Sequence, residues 1–496
     1  MPGIALNEDN SHYFASRAGQ ALDREAVASW VDQYADTQVR ELLLCPNAMR
    51  ASYASAVREP IWHGYDPDGP DDQPLFASLP PAGRAGARRW VHTAWQLAHD
   101  GIDPYAVWIE RARQHYLSPW MTMRMNDLHG VDDDANFMHS EFWRAHPEYR
   151  RVPYRFAGWT DRALDYGREE VRDHAMRFIR ELAECYDFDG LELDWMRFGY
   201  HFRPGYEAEG AELLTAFTAE VRKLLDGWEH TRGHRIFLGA RVPSRPMTAL
   251  RLGMDAVAWA RKGIVDWLVV TPFWATCETD MPIELWRTLL DGTGVTLCAG
   301  LEVLLRPYPG YPAHPCNALE TVRGAAAAML DRGADRVYLF NYMDGETAMA
   351  NVEEDYGALL REVGDLKTLK DKPRRHVVTF ADTWAPGEAE GYLLPSAMSA
   401  GSWKTFRLPT GPAPSGASEV ILGIQDGLAL AYDSLEVRVN GAPCAFADAI
   451  TLADPKPAFP TYAYIIPDHT LHRGDNVVEI LAHEAVTVGW VEIAVI

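Results

Sequence analysis

Tyr186–Trp195, YDFDGLELDW, is the stretch on which the fold turns. Ahead of it lies a helix-period segment, REEVRDHAMRFIRELAECY, and Asp189-Gly190 marks the change to a short strand-length run. Successive residues of a strand face opposite ways, so Glu192 and Asp194 share one face while Leu191 and Leu193 share the other. Leucines behind a strand that follows a helix belong against helices. Carboxylates in front belong inside a closed parallel sheet, near its C-terminal end. The run therefore predicts the fourth strand of a barrel, with Asp194 at the mouth. Glu192 lies one layer deeper, where burial calls for a partner such as an arginine from a neighbouring strand.

Outward from this point, apolar runs of strand length alternate with helix-period segments over the first 365 residues. The expected strands are His12–Arg17, VRELLLCPN ending at Asn47, LSPWMTMRMND ending near Asp127, DGLELDW, RIFLGARV, VDWLVVTPF, GVTLCAGLEV and ADRVYLFNYM. Gly263, Gly292 and Gly333 close helices ahead of the next strand. Eight such units predict a (β/α)8 TIM barrel, and a doubly wound nucleotide-binding sheet would carry a GxGxxG turn that the chain lacks. Past residue 365 the texture changes. Residues 366–375 read as a polar linker, and 376–496 hold only strand-like runs divided by turns such as Asn440-Gly441. The expected organisation is a catalytic barrel over 1–365 followed by an antiparallel β-sandwich accessory domain over 376–496.

A chain of 496 residues accommodates both parts. A net charge of −23 with no basic stripe argues against a nucleic-acid partner. No run has the length and apolarity of a membrane helix, and the N-terminus MPGIALNEDNSHYF has neither the basic start nor the apolar run of a signal peptide. The six cysteines are scattered, without CxxC or metal spacing, as reduced thiols are. The expectation is a cytoplasmic protein that binds neither membrane nor nucleic acid, with a homo-oligomer allowed. The 17 Trp and 21 Tyr supply rings either for the core or for sugar platforms.

Catalytic groups of a barrel sit at the C-terminal ends of its strands. The polar residues expected there are Asn47, Arg50, Arg124, Asn126, Asp127, Glu192, Asp194, Arg241, Thr271, Glu302, Asn341 and Asp344, with His129 and His139 in the loop after the third strand. Glu302 ends an apolar run, and burial without a partner raises a carboxyl pKa, which suits a general acid. Asp194 has Arg197 and Arg241 nearby, cations that suit a nucleophile or electrostatic stabiliser. Glycoside hydrolysis uses such an unequal pair. The competing role for Glu302 is structural partnership with a barrel arginine. Arg50, Arg124, Arg197 and Arg241 either grip an acidic sugar such as a uronic acid or balance the local carboxylates. Asn47, Asn126, His129 and Asn341 are expected to hold hydroxyls, and Trp195, Tyr200 and Trp274 to act as platforms. Asp127, His129 and His139 support a weaker alternative, a metal-dependent lyase, isomerase or epimerase, although no HExxH pair is present. No metal or cofactor is expected for the hydrolase. The chain has no GxSxG elbow for serine chemistry.

The stretch ALDYGREEVRDHAMRFIRELAECYDFDGLELDWMRF resembles the uncharacterised glycosyl-hydrolase-like (β/α)8 barrels, whose typical run reads PEVR, a helix, YDVDG and a strand ending in aspartate. Glu170-Val171-Arg172 and Tyr186-Asp187-Phe188-Asp189-Gly190 carry the match. SPWMTMRMND, HSEFWRAHPEYR and LGMDAVAWARKGIVDWLVVTPFW extend it over residues 12–350. The resemblance implies a glycosidase-type active site with Asp194 as the strand-four acid, and the C-terminal sandwich looks like glycosidase accessory domains. Asp194-Trp195 stands where many glycosidases carry Asn-Glu. The expected activity is hydrolysis of O-glycosidic bonds in an acidic or small oligosaccharide. Asp194 is the expected nucleophile or stabiliser and Glu302 the acid/base, about 5–5.5 Å apart if retaining. In the alternative of a non-catalytic carbohydrate-binding barrel, the two carboxylates would lie more than about 10 Å apart.

Overall fold

The computed structural model describes residues 2–345, 349, 351–425, 430–431, 433–447 and 454–496. Eight parallel strands close into a barrel in sequence order. They are β1 (Ile4–Glu8), β2 (Val39–Leu44), β3 (Ser118–Arg124), β4 (Gly190–Asp194), β5 (Phe237–Pro243), β6 (Trp267–Thr271), β7 (Thr296–Glu302) and β8 (Arg336–Phe340). Seven of them lie where the sequence predicts. The first does not: His12–Ser16 is a short helix, and β1 is the preceding IALNE. IALNE ends in Asn7 and Glu8, both buried, so its apolar signal is only three residues long. Tyr13 and Phe14 instead pack on Trp108 from the helix Pro104–Gln114, which gives His12–Ser16 its apolar look.

Inside the barrel, side chains fill layers. Trp120 and Trp267 occupy the bottom layer, with ring centroids 5.2 Å apart. They fit because the strands beside them present glycine. A Cβ on Gly190 would stand 2.3 Å from the Trp120 ring, and one on Gly239 would stand 3.1 Å from Trp120 and 3.2 Å from Trp267. Large side chains thus face gaps, as a filled small barrel requires. Above them lie Thr122, Glu192 and Tyr338. At the mouth the β3–β4 and β4–β5 registers set Arg124 beside Asp194, and Asp194 beside Arg241. The β7–β8 register sets Glu302 beside Phe340.

The C-terminal part is two antiparallel sheets. One contains β9 (Arg374–Val377), β10 (Ser396–Met398), β12 (Ser418–Ile424), β15 (Ala445–Ala447), β16 (Thr461–Ile466) and β18 (Val486–Val495). The other contains β11 (Trp403–Pro409), β13 (Leu435–Val439), β14 (Ala442–Pro443) and β17 (Asp475–Ala482). The chain is therefore a TIM barrel followed by a β-sandwich. The polar stretch 366–375 holds a short helix, Leu366–Leu369, and the first residues of β9, which pairs with β18. The six cysteines are free thiols. No described helix is long and apolar enough to cross a membrane.

Candidate active site

The mouth of the barrel is organised by one guanidinium. Arg241 Nη1 donates to both Asp194 oxygens at 3.2 and 3.3 Å, and its Nη2 donates to Glu302 Oε1 at 2.9 Å. The guanidinium lies 3.8 Å from the centre of the Phe340 ring. Both carboxyls are thus bonded to one planar guanidinium fork. All three side chains are at most 2% exposed, so solvent does not reach the pair directly.

The two carboxyls differ in surroundings. Asp194 also accepts from the Met196 backbone N–H at 3.0 Å, so both of its oxygens are engaged. Glu302 Oε2 is buried without a hydrogen-bond partner. Burial raises the Glu302 pKa to about 8, against the opposing pull of Arg241 and Arg197. Glu302 is therefore mainly a neutral acid near pH 7. Its backbone is fixed from behind, because Asn317 Nδ2 and the Tyr342 hydroxyl both donate to its carbonyl, at 2.9 and 2.7 Å.

Glu192 lies one layer down, as expected, but its direct partners are hydroxyls, not an arginine. Thr122 and Tyr338 donate to Glu192 Oε1 at 2.7 and 2.8 Å, and Asn7 donates to the Tyr338 oxygen at 2.9 Å. Burial, and then Asp194, raise the Glu192 pKa to about 7. Arg241 on β5 stands one layer higher in register and acts on Glu192 only through space.

Arg124 pairs with Asp9, and with Asp127 at 3.3 Å. Arg197 is different. It is 4% exposed, its guanidinium sits 4.7 Å from the Phe340 ring centre, Nε has no hydrogen-bond partner, and it forms no ion pair among the described residues. A buried cation next to the carboxyl pair, unpaired by any described acid, is the feature of the mouth most suited to an anionic ligand.

Several expected contacts serve structure. Asn47 donates to the Ala48 and Arg124 carbonyls at 2.6 and 3.0 Å, which ties the end of β2 to β3. Arg50 donates to the carbonyls of His139 and His63 at 2.9 and 3.2 Å. Asn126 bridges the Leu164 backbone and the Tyr200 carbonyl. Trp195 is no platform: it is fully buried behind β4, against Tyr166, His201 and Phe217. The period of two that turns Asp194 inward turns Trp195 towards the helices. His129 is half-exposed, bonded to Asp127 at 3.0 Å and packed edge-on against Phe198. His139 turns Nε2 to the His129 carbonyl, so Asp127, His129 and His139 do not converge. Among the described residues no group of three or more His, Cys, Asp or Glu side chains is placed to hold a metal. Asn341 adopts a left-handed φ of 62° at the end of β8, a conformation asparagine tolerates.

The rim carries an aromatic group of Trp159, Phe198, Tyr200 and Phe273, of which the sequence indicated only Tyr200, with Trp274 next to Phe273 in the chain. Trp159 lies nearly parallel to Phe273, with centroids 5.7 Å apart, and edge-on to Tyr200 and Phe198. Trp159 and Trp274 are 40% and 46% exposed. Asp382, from the segment after β9, accepts from the backbone N–H groups of Phe273, Trp274 and Ala275 at 2.7, 2.8 and 2.7 Å. No local pattern marks Asp382, because its role depends on a loop more than 100 residues away. A second missed cluster fills the end of β1. His12 forms ion pairs with Glu8 and Asp344 at 2.9 Å each, Arg17 and Tyr34 complete the cluster, and the two acids hold the His12 pKa up to about 10 against burial.

No family model matches the chain, and no curated protein resembles it in sequence. Its structural neighbours include glycoside hydrolases of several families. It is similar to the PgaB (BpsB) glycoside hydrolase domain from Bordetella bronchiseptica, at 12% identity over 74% of this chain and 99% of that one, with a TM-score of 0.41. It is also similar to a glycoside hydrolase family 18 N-acetylglucosaminidase from Paenibacillus barengoltzii, at 10% identity over 72% and 98%, with a TM-score of 0.37. A third is the cycloisomaltooligosaccharide glucanotransferase from Paenibacillus sp., at 8% identity and a TM-score of 0.35; 99% of this chain aligns but spans only 57% of that one. At these identities the likeness concerns the fold alone.

Proposed function

We propose that this barrel hydrolyses O-glycosidic bonds in acidic oligosaccharides, with Asp194 and Glu302 as the reacting carboxyls. The observation that carries this is the shared Arg241 fork, which holds two carboxyls of unequal environment at the ends of β4 and β7. Glu302, a neutral acid near pH 7, donates its proton to the glycosidic oxygen as the bond to the anomeric carbon breaks. Asp194, fixed by Arg241 and the Met196 N–H, attacks or stabilises the anomeric carbon from the other face. Glu302, now a carboxylate, then takes a proton from the water that completes hydrolysis. Arg197 grips the carboxylate of a uronic-type sugar, and Trp159 and Trp274 carry neighbouring rings on the rim. Because the pair is enclosed, access of a substrate requires the side chains above it to move.

The test is kinetic. Asp194→Asn and Glu302→Gln each lower kcat on a uronate-containing oligosaccharide at least about 10³-fold while the protein stays folded by circular dichroism. Arg197→Met lowers kcat/KM about 10- to 100-fold on that substrate and little on its neutral counterpart. Near-wild-type turnover in Asp194→Asn or Glu302→Gln overturns the carboxyl roles, and an equal loss on both substrates in Arg197→Met overturns the acidic specificity.

A further inference from the structure

Arg58 belongs to none of the networks above. It lies between β2 and β3, 7% exposed, with its guanidinium carbon 4.2 Å from the ring centre of Phe178. Its Nε has no hydrogen-bond partner, and the side chain forms no ion pair among the described residues. A guanidinium stays charged when buried, and an uncompensated buried charge is costly. Arg58 lines a small cavity with Arg124, Asp127, Ser140 and His174. Asp127, the one carboxylate on its wall, is engaged by Arg124 and His129. Glu59 acts on Arg58 only through space.

Arg124 and Asn126 also line the cavity, both already bonded to other groups, while Ser140 and His174 can donate into it. Ser140 Oγ accepts from the Trp143 N–H at 3.2 Å, which leaves its O–H available. His174 is stacked on Phe142, with centroids 4.0 Å apart and planes within 1°. Burial, and then Arg58, push the His174 pKa down to about 3, so the ring is a neutral imidazole with one N–H to offer. The cavity measures about 20 Å³, and a single water needs roughly 10–15 Å³. With Asp127 already paired to Arg124 and His129, the second guanidinium, that of Arg58, gives the wall a surplus of positive charge, and a space of this size does not take a sugar. We propose that Arg58 anchors a site for one small inorganic anion of halide size, separate from the carboxyl pair at the mouth.

Bromide is the probe. Crystals of the full chain grown in sodium bromide are expected to show a bromine anomalous peak within about 3.5 Å of the Arg58 guanidinium. A site without that peak overturns the proposal. In solution, the wild type is expected to melt about 1 °C or more higher in sodium chloride than in sodium gluconate of equal ionic strength, and folded Arg58→Met to show no difference. Equal melting of the wild type in the two salts, or the same gain in Arg58→Met, also overturns it. Neither readout uses glycosidase activity, so this site stands or falls apart from the proposed function.

Discussion

Two buried acid–arginine groups in this molecule have opposite finish. At the seam between the barrel and the sandwich, Arg375 on β9 meets Glu492 on β18. Arg375 Nε donates to Glu492 Oε1, Nη2 donates to Oε2 at 2.8 Å, and Trp490 Nε1 adds a bond to Oε2 at 2.9 Å. Both carboxylate oxygens are engaged, and Arg375 also reaches the Pro455 carbonyl. At the barrel mouth, Arg241 is divided between two acids, Glu302 Oε2 has no partner, and neighbouring Arg197 has no counter-ion among the described residues. A bidentate, fully bonded pair is complete without a ligand and can act as a clamp. A divided, under-bonded one keeps unused hydrogen-bonding capacity where substrate chemistry would use it.

The sharpest way to break this contrast is to remove its pivot. Arg241→Met strands two buried carboxyls and is expected to cost about 3–5 kcal/mol of stability in urea unfolding. A loss below about 1 kcal/mol would mean that the mouth rearranges freely and Arg241 is no pivot. Next come the amide variants. Glu492→Gln breaks a full ion pair and should destabilise by about 3 kcal/mol at pH 7. Glu302→Gln replaces a largely neutral acid by a neutral amide and should stay within about 1 kcal/mol. Equal costs would erase the distinction.

A pH titration refines it further. Glu302 has a raised folded-state pKa, so the native state holds that proton more tightly than the unfolded chain does. Its contribution is complete below the ordinary glutamate pKa of about 4.5 and is lost as pH rises to about 8. This group alone lowers stability over the window by at most about 1.4 kcal/mol per pH unit, so the stability of the wild type relative to Glu302→Gln should fall as pH rises from about 4.5 to 8. Glu192 and Glu278, both raised to about 7, contribute with the same sign, and His174, His201 and His376, held down to about 3 by burial, contribute with the opposite sign below about 6.5; all of these act equally in wild type and variant and cancel in the difference. The smallest stability effect belongs to the rim. Trp274→Ala removes a half-exposed ring and should change stability by less than about 0.5 kcal/mol while weakening oligosaccharide binding measured by calorimetry.

Seven of the eight barrel strands were legible, because apolar runs and helix periods are local signals. So was the pairing of Glu192 and Asp194 on one face, since a period of two needs only neighbouring residues. β1 was not, because its polar half becomes buried only when β2 and β8 close around it. Trp195 was assigned to the wrong side although the same period already turned it outward. Asp382, Trp159 and Phe273 gave no usable pattern, because loops distant in sequence bring them to the rim.

By itself, the sequence determined the barrel, the sandwich after it and the position of Asp194 at the mouth of β4. These follow from alternation and period, which act within a dozen residues. Only the tertiary structure decided that Arg241 joins Asp194 to Glu302, that hydroxyls rather than an arginine hold Glu192, and that Arg197 and Arg58 stay without acidic partners among the described residues. Ion pairing and desolvation depend on distances across the closed barrel and its loops, and sequence spacing does not encode those distances.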